Sequence, residues 1–273
     1  MIKVNNEQIR VAHFPDNSQR INCLPVLNKS SDVIFEWKYE SDEELVTLLF
    51  LVNHLRENHF NGDFVLYMNY VPNGRMDRVY EPKEVFTLKW FCKIINSLKF
   101  SKIIVMDPHS NVNHALLNNI QIIDAKEYIL NVIDKLKIPK NDFVIYFPDY
   151  SAMKKYSSMI SDYKYCYGKK IRDWDTGEIL GLEIVNPYNI EMEGKCVLMV
   201  DDIISYGGTM YFGAKKLKEL GAKSISAYAS HTENSVLNLE KSKILKAFDE
   251  GIITMIYTTD SIYHGNHEKI EVI

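Results

Sequence analysis

The sequence predicts an α/β protein made of two similar domains, each with a mainly parallel sheet flanked by helices. Short apolar runs of strand length alternate along the chain with longer runs of helical spacing, which is typical of parallel strands joined by crossover helices. The alternation restarts after residues 137–141, a short polar stretch with one proline. We therefore predict an N-terminal domain over 1–138 and a C-terminal domain over 139–273.

The N-terminal half contains four apolar runs and three helical patterns. Ser41 and Glu44 have the spacing of a capping box before the first helix, and Pro82 is suited to the first turn of the second. The predicted strands are 33–37, 64–70, 102–106 and 120–123, and the predicted helices are 45–56, 82–98 and 125–136.

The C-terminal half repeats the pattern around a basic, turn-rich insertion. Residues 168–178 combine several cations with a glycine-containing turn, and we predict a mobile flap or hairpin tip there. The predicted strands are 143–147, 163–167, 197–200 and 224–228, and the predicted helices are 151–161 and 210–220.

Composition excludes several functional classes. The 273 residues have a formal net charge of -4 and a pI near 6.1, so no electrostatic signature of a nucleic-acid partner is present. No run of about 18 apolar residues predicts a membrane span, and the start lacks a secretory core. Four widely spaced cysteines predict reduced thiols in a cytoplasmic protein without a zinc site: Cys23, Cys92, Cys166 and Cys196.

The stretch 196–229 carries the clearest chemical signal. An apolar strand ends in Asp201 and Asp202, and a Gly207-Gly208-Thr209 turn precedes a helix. The glycines let backbone approach a ligand, and free amides at a helix start favour anions. Acids at the carboxyl end of a strand can accept hydrogen bonds from ribose hydroxyls. Acids and glycines are also ordinary loop residues, but their ordered combination favours a sugar-phosphate site.

Polar loops follow other predicted strands. Arg75 and Arg78, with Asp77 between them, suit a triphosphate, and His109 or Asp149 could contact hydrated magnesium. Lys170 and Arg172 on the predicted flap could neutralise charge on a transferring phosphoryl group. Each loop alone is more often solvated surface than a site.

Taken in order along the chain, these loops resemble those of the ribose-phosphate pyrophosphokinases, also called PRPP synthetases. The quoted motifs are NGRMDR, DPH, FPD, the Lys-x-Arg flap and the Asp-Asp/Gly-Gly-Thr loop, and Phe14-Pro15-Asp16 resembles that family's N-terminal motif. The resemblance spans about 11–259. It implies phosphoribosyltransferase-like domains and a Mg²⁺-dependent transfer of the β,γ-diphosphoryl group of ATP to the anomeric hydroxyl of ribose 5-phosphate, releasing AMP.

The resemblance also implies a role for each matching position. The ATP side comprises Phe14, Asp16, Arg75, Asp77, Arg78 and His109, with Phe14 and Asp16 reaching adenine from a neighbouring subunit of a homo-oligomer. His109 and Asp149 match the magnesium site, and Lys170 and Arg172 match the catalytic flap. The ribose-phosphate side comprises Asp201, Asp202, Ser205, Tyr206, Gly207, Gly208 and Thr209.

Two positions of the ribose-phosphate loop depart from the family pattern. Ser205 replaces a third acid and Tyr206 replaces a small threonine. We hypothesise that Tyr206 relines the loop for an acceptor with a further substituent, such as ADP-ribose, giving ADP-ribose pyrophosphate for NAD salvage. Ribose 5-phosphate, giving PRPP, stays open as the acceptor. A non-catalytic regulatory subunit is an alternative interpretation. A phosphoribosyltransferase is disfavoured because it needs no loops that bind ATP.

Overall fold

The computed structural model describes residues 1–22, 32–58, 61–172 and 179–273, without side chains for 170–172 and 179–180. Cys23 and the tip of the predicted flap, 173–178, lie outside the described residues. The chain forms two compact units, Met1–Asp124 and Ala125–Ile273. Among the helices that the structure describes, none is long and apolar enough to cross a membrane.

The N-terminal unit is built on a six-stranded sheet in the order β2-β1-β5-β6-β7-β8, and β3 and β4 form a separate hairpin. Strands β5 to β8 are parallel, whereas β1 and β2 add antiparallel edges. The elements are β1 (Ile2–Val4), β2 (Glu7–Gln8), β3 (Arg10–His13), β4 (Gln19–Asn22), β5 (Val33–Trp37), α1 (Glu43–Glu57), β6 (Phe64–Met68), α2 (Thr87–Ser97), β7 (Lys102–Met106), α3 (Val112–Leu116) and β8 (Ile120–Ile123).

The C-terminal unit has a seven-stranded sheet in the order β11-β10-β9-β12-β13-β14-β15. All neighbours are parallel except β11, which forms an antiparallel hairpin with β10. The elements are α4 (Lys126–Leu136), a 3₁₀ turn (Lys140–Asp142), β9 (Phe143–Phe147), α5 (Tyr150–Tyr156), β10 (Tyr165–Arg172), β11 (Ile179–Val185), β12 (Cys196–Ile204), α6 (Gly208–Glu219), β13 (Ser224–Thr232), a 3₁₀ turn (Asn234–Leu237), α7 (Lys243–Asp249), β14 (Met255–Thr258) and β15 (Ile270–Val272).

The boundary between the units lies between Asp124 and Ala125, earlier than the predicted boundary between Ile138 and Pro139. The reason is packing, because the apolar face of α4 belongs to the core of the second unit. Ile129 and Val132 of α4 are fully buried in one cluster with Ile145 of β9. The polar stretch 137–141 therefore connects α4 to β9 within the C-terminal unit.

Two local predictions are wrong, and one short helix was not predicted. Asp42, not Ser41, occupies the N-cap of α1, and its carboxylate makes no cap bond but accepts from the Tyr39 hydroxyl. Glu44 accepts from the amide of Glu40 and the indole of Trp37. Helix α2 begins at Thr87, several residues after Pro82. The sequence pattern indicates a polar, irregular segment after β7, so the short helix α3 was not predicted.

Candidate active site

The C-terminal sheet has a topological switch point between β9 and β12. The chain moves from β9 outward to β10 and β11, then returns to place β12 on the other side of β9. Open α/β sheets bind ligands at the carboxyl ends of the strands beside such a point. Asp149 follows β9, and Asp201 and Asp202 lie on the part of β12 that extends past β9 and pairs with β13 alone.

The three acids at this point interact electrostatically. Asp202 is buried, with 6% of its surface exposed, and its amide donates to the Asp201 carboxylate at 2.9 Å. Burial of the carboxyl group, the neighbouring Asp202 and, more weakly, Asp149 raise the pKa of Asp201 well above its ordinary value. Because the negative charges at this site repel one another, a ligand that brings hydroxyl donors or a cation would stabilise them.

Asp149 also has a local structural role. Its carboxylate accepts a hydrogen bond from the amide of Ala152 at 3.0 Å, so it is the N-cap of α5. The cap holds the acid at the end of β9, where the sequence predicts a magnesium or ribose contact.

The loop 205–208 is shaped by contacts with the segment that follows β13. Gly207 has a φ of 78°, and a Cβ there would lie 2.2 Å from Cγ1 of Ile244. The amide of Lys243 donates to the carbonyl of Tyr206 at 2.7 Å. Gly208 then begins α6 with no atom within 4 Å of a Cβ built on it. The result is an open cradle at a helix start, the geometry expected for an anion site.

Some side chains of the same loop are exposed to solvent, and others face the protein. Tyr206 is 41% exposed and Thr209 is also exposed, so both are accessible to a ligand. Ser205 instead turns towards Ser235, with 3.2 Å between the two Oγ atoms, and Ser235 donates to Glu233 Oε2 at 3.0 Å.

Lys170 and Arg172 lie on β10, in the hairpin with β11. Their backbones are opposite Leu182 and Ile179, and the strand register shifts between Ile171 and Arg172. Gly168, two residues before Lys170, lets β10 pass the loop after β9, because a Cβ there would lie 2.5 Å from the carbonyl oxygen of Pro148. Lys170 and Arg172, the predicted catalytic pair, therefore belong to the strand that neighbours β9 in the sheet.

In the N-terminal unit the arginine loop follows β6 and the histidine loop follows β7, its parallel neighbour. Arg78 donates to both carboxylate oxygens of Asp77, at 2.9 and 3.3 Å. These bonds lower the pKa of Asp77, as do the Ser110 hydroxyl and His109, so the two predicted loops lie together. Asp77 is buried while the Arg78 side chain is 64% exposed, which leaves guanidinium donors facing outward. Arg75 lies in the same loop.

Phe14 and Asp16 lie between β3 and β4. The Asp16 carboxylate accepts from the amide and the hydroxyl of Ser18, at 3.0 and 2.6 Å, and these bonds lower the pKa of Asp16. Asp16 therefore shapes its own turn, and Phe14 is 49% exposed.

A metal cage made of protein ligands is not present in the part of the chain that the structure describes, since no three His, Cys, Asp or Glu side chains there are arranged to hold a metal ion. Magnesium is commonly held by one or two carboxylates with the remaining ligands from water and substrate phosphates. Within the second unit, Asp149 is a single carboxylate of the kind that can contribute to such a site.

The sequence did not predict Glu233, Ser235, Lys243 and Ile244 as parts of the site. They lie about thirty residues after the loop they contact and form no motif. Their only sequence signal is their place after a strand that neighbours β12.

Comparisons with known proteins support one family. No family model matches the chain. The ribose-phosphate pyrophosphokinase of Pyrococcus furiosus is 29% identical over 249 residues, which are 90% of this chain and 85% of that protein. The enzyme of the same name from Saccharolobus solfataricus is 27% identical over 85% of this chain and 77% of its own. The crystal structure of phosphoribosylpyrophosphate synthetase from Mycobacterium smegmatis has a TM-score of 0.76 at 15% identity, covering 97% of this chain and 85% of that one, and so shares the fold.

The relatives and the shared fold indicate a diphosphokinase-type transferase with two phosphoribosyltransferase-like units. The resemblance of the motifs is confirmed by relatives that align along most of both chains. The chain is similar along most of its length to ribose-phosphate pyrophosphokinases.

Proposed function

We propose that this protein transfers the β,γ-diphosphoryl group of ATP to the anomeric hydroxyl of a ribose 5-phosphate moiety. The hydroxyl oxygen forms a bond to the β-phosphorus and loses its proton. The bond between that phosphorus and the oxygen bridging to the α-phosphorus breaks, and AMP leaves with the oxygen.

The observation that best supports the proposal is the arrangement at the switch point of the C-terminal sheet. Asp201 and Asp202 extend past β9, and an open glycine cradle begins α6 directly after them. Two acids that can accept hydrogen bonds from ribose hydroxyls are therefore followed, within a few residues, by backbone amides that can bind a phosphate. The homologous enzymes named above carry ribose phosphate in their names.

The remaining residues supply positioning and charge. In this proposal Arg75 and Arg78 bind ATP phosphates, and Asp77 orients the Arg78 guanidinium through two hydrogen bonds. Lys170 and Arg172 stabilise the transferring phosphoryl group. Mg²⁺ would neutralise phosphate charge when bound, and the sequence match gives His109 of the first unit and, separately, Asp149 of the second as residues that would contact it.

For the acceptor we propose ADP-ribose, with ribose 5-phosphate as the alternative. The carbonyl of Tyr206 accepts from the amide of Lys243, yet the residue is 41% exposed beside the cradle. A ring presented in this way can stack on a nucleotide substituent that ribose 5-phosphate lacks. The product would be ADP-ribose pyrophosphate, a precursor for NAD salvage.

We also propose a cytoplasmic homo-oligomer. Cys92, Cys166 and Cys196 are free thiols among the described residues, as expected in a reducing compartment. Phe14 is exposed on the hairpin of β3 and β4, where it could reach the base bound by a second copy.

The decisive assay offers Mg²⁺–ATP with ribose 5-phosphate or with ADP-ribose and follows AMP and the new diphosphate ester. We expect AMP with at least one acceptor and a higher kcat/KM with ADP-ribose. A faster reaction with ribose 5-phosphate would refute only the acceptor proposal. No AMP with either acceptor would refute the transferase proposal and favour a non-catalytic subunit.

Tyr206→Thr tests the acceptor side separately. The substitution removes the ring and keeps a hydroxyl, so preference should shift towards ribose 5-phosphate by about tenfold if stacking contributes a typical base–aromatic energy. Tyr188→Thr, at an exposed tyrosine of the same unit outside the loop, is the control. Equal preference in wild type and Tyr206→Thr would mean that the ring does not contact the acceptor.

A further inference from the structure

Tyr146 of β9 carries a buried hydroxyl close to the acids at the switch point. The residue is fully buried, and its hydroxyl has no hydrogen-bond partner among the residues that the structure describes. Tyr146 is the neighbour of Met199 on β12, two residues before Asp201, so Tyr146 and Asp201 belong to the same face of the sheet. Burial and, more weakly, Cys166, Asp149 and Asp201 raise the pKa of Tyr146. A buried donor without a partner is costly, so a native protein that keeps one needs a reason for it.

Two glycines leave the space that this hydroxyl occupies. A Cβ on Gly168 of β10 would lie 2.5 Å from the Tyr146 hydroxyl oxygen, and a Cβ on Gly213 of α6 would lie 2.9 Å from it. A larger residue at either position would push the tyrosine ring away. The place of the hydroxyl is therefore determined by packing against both β10 and α6.

The carbonyl oxygen of Pro148 is an acceptor close to this hydroxyl. The same Cβ on Gly168 would lie 2.5 Å from that oxygen too, so the two oxygens are no further apart than twice this distance. They form no hydrogen bond in the structure. A carbonyl oxygen has two lone pairs and can accept from a hydroxyl in addition to another donor. A shift of the Pro148 backbone by about 2 Å or less would complete the bond.

We propose that Tyr146 is a positioning residue for the acceptor, and that its hydroxyl donates to the Pro148 carbonyl when a sugar phosphate binds at the switch point. Asp149, which follows Pro148, and Asp201 repel each other. Sugar hydroxyls that donate to both carboxylates reduce that repulsion and let the Pro148 backbone approach Tyr146. The new hydrogen bond then holds Asp149 against the ligand.

This inference rests on the proposed function and adds a residue that no motif of the sequence singles out. It makes a specific prediction, because the hydroxyl lowers the stability of the protein without ligand and contributes only to the bound state. Removing it should therefore stabilise the fold and weaken acceptor binding at the same time. A purely structural hydroxyl cannot have these two opposite effects.

The test compares Tyr146→Phe with wild type. The variant loses a buried hydroxyl that has no partner, so its melting temperature should rise by a few degrees. Dissociation constants measured by calorimetry for ribose 5-phosphate and for ADP-ribose should both increase about fivefold, the scale of one neutral hydrogen bond. The affinity for ATP should stay the same, because the predicted ATP loops lie in the N-terminal unit.

Tyr263→Phe is the matched control. The Tyr263 hydroxyl is also buried without a partner among the described residues, and it lies in the same unit outside the loops of the site. Tyr263→Phe should gain stability and keep the wild-type affinities. Unchanged acceptor affinities in Tyr146→Phe, or weaker binding together with a lower melting temperature, would overturn the inference.

The binding measurements also separate this inference from the proposed transfer. Weaker acceptor binding by Tyr146→Phe in a protein whose wild type releases no AMP would support the role of Tyr146 and refute the transferase activity. AMP release by wild type with unchanged acceptor affinities in Tyr146→Phe would support the transferase activity and refute the role of Tyr146.

Discussion

The Asp201 carboxyl lies on the part of β12 that extends past β9, where Asp202 and, more weakly, Asp149 oppose its charge. Burial and Asp202 raise its pKa well above the ordinary value of 3.8. Between the unfolded and folded pKa values the folded chain takes up a proton that the unfolded chain does not. The free energy of unfolding therefore falls as pH rises from the unfolded pKa to the folded pKa of Asp201. Above the folded pKa the protein bears the whole cost of the buried negative charge.

Asp201→Asn should raise the melting temperature by a few degrees at a pH above the folded pKa, because an amide keeps the acceptor for the Asp202 amide without the charge. The advantage should shrink as pH falls towards 3.8, where the unfolded carboxylate is also protonated. Thermal unfolding of both proteins over a series of pH values checks this. Equal melting temperatures across the series would contradict the electrostatic cost.

Lys170→Ala should lower turnover by about two orders of magnitude or more, with a smaller effect on the KM for ATP, if the ammonium group acts on the transition state. Lys169→Ala is the matched control. Lys169 is the adjacent lysine of the same strand and pairs at the surface with Glu183 at 3.7 Å. Similar turnover in the two variants would remove Lys170 from the site.

The unit formed by β12, the loop 205–208 and α6 depends on a close packing contact. Gly207 adopts a left-handed backbone and packs against Ile244, next to the residue whose amide binds the carbonyl of Tyr206. Helix α7 thus supports the loop from behind. Gly208 faces open space and has no such contact.

Gly207→Ala should lower the free energy of unfolding by about 2 kcal/mol or more, because the new Cβ meets Ile244 and the positive φ is strained. Gly208→Ala should leave stability nearly unchanged and weaken acceptor binding, because its Cβ enters the open cradle. Denaturant unfolding and acceptor KM values distinguish the two. Equal losses of stability would show that the cradle is not open at Gly208.

At the scale of the whole molecule, the division into units depends on α4. Its buried residues, Ile129 and Val132, share a cluster with Phe143 and Ile145 of β9. Lys135 near the end of α4 also pairs with Glu271 of β15. The helix covers one face of the C-terminal sheet, so a chain lacking it would expose apolar side chains of β9.

A fragment over 125–273 should therefore unfold cooperatively, whereas a fragment over 139–273, which begins at the boundary predicted from sequence, should melt at least several degrees lower or aggregate. Circular dichroism melts of the two fragments provide the comparison. Equal melting temperatures would mean that α4 adds little to the C-terminal core.

Sequence patterns were most reliable where one short apolar run corresponds to one buried strand. The predicted bounds of β5, β7, β8 and β9 agree with the structure. Strands β12 and β13 run further than predicted, because their pairing continues through polar residues such as Asp202 and Ser230 that an apolar pattern excludes. Helix α3 has five residues, too few to show a helical period.

By itself the sequence determined the alternation of strands and helices, the resemblance to ribose-phosphate pyrophosphokinases and the loops that carry charge, because local composition and the order of motifs encode all three. Only the tertiary structure decided that α4 joins the second unit and that Ser235 and Glu233 lie behind Ser205. Those relations depend on which strands become neighbours in the sheet. β13 neighbours β12 and so brings residues about thirty positions away to the loop, which no local pattern records.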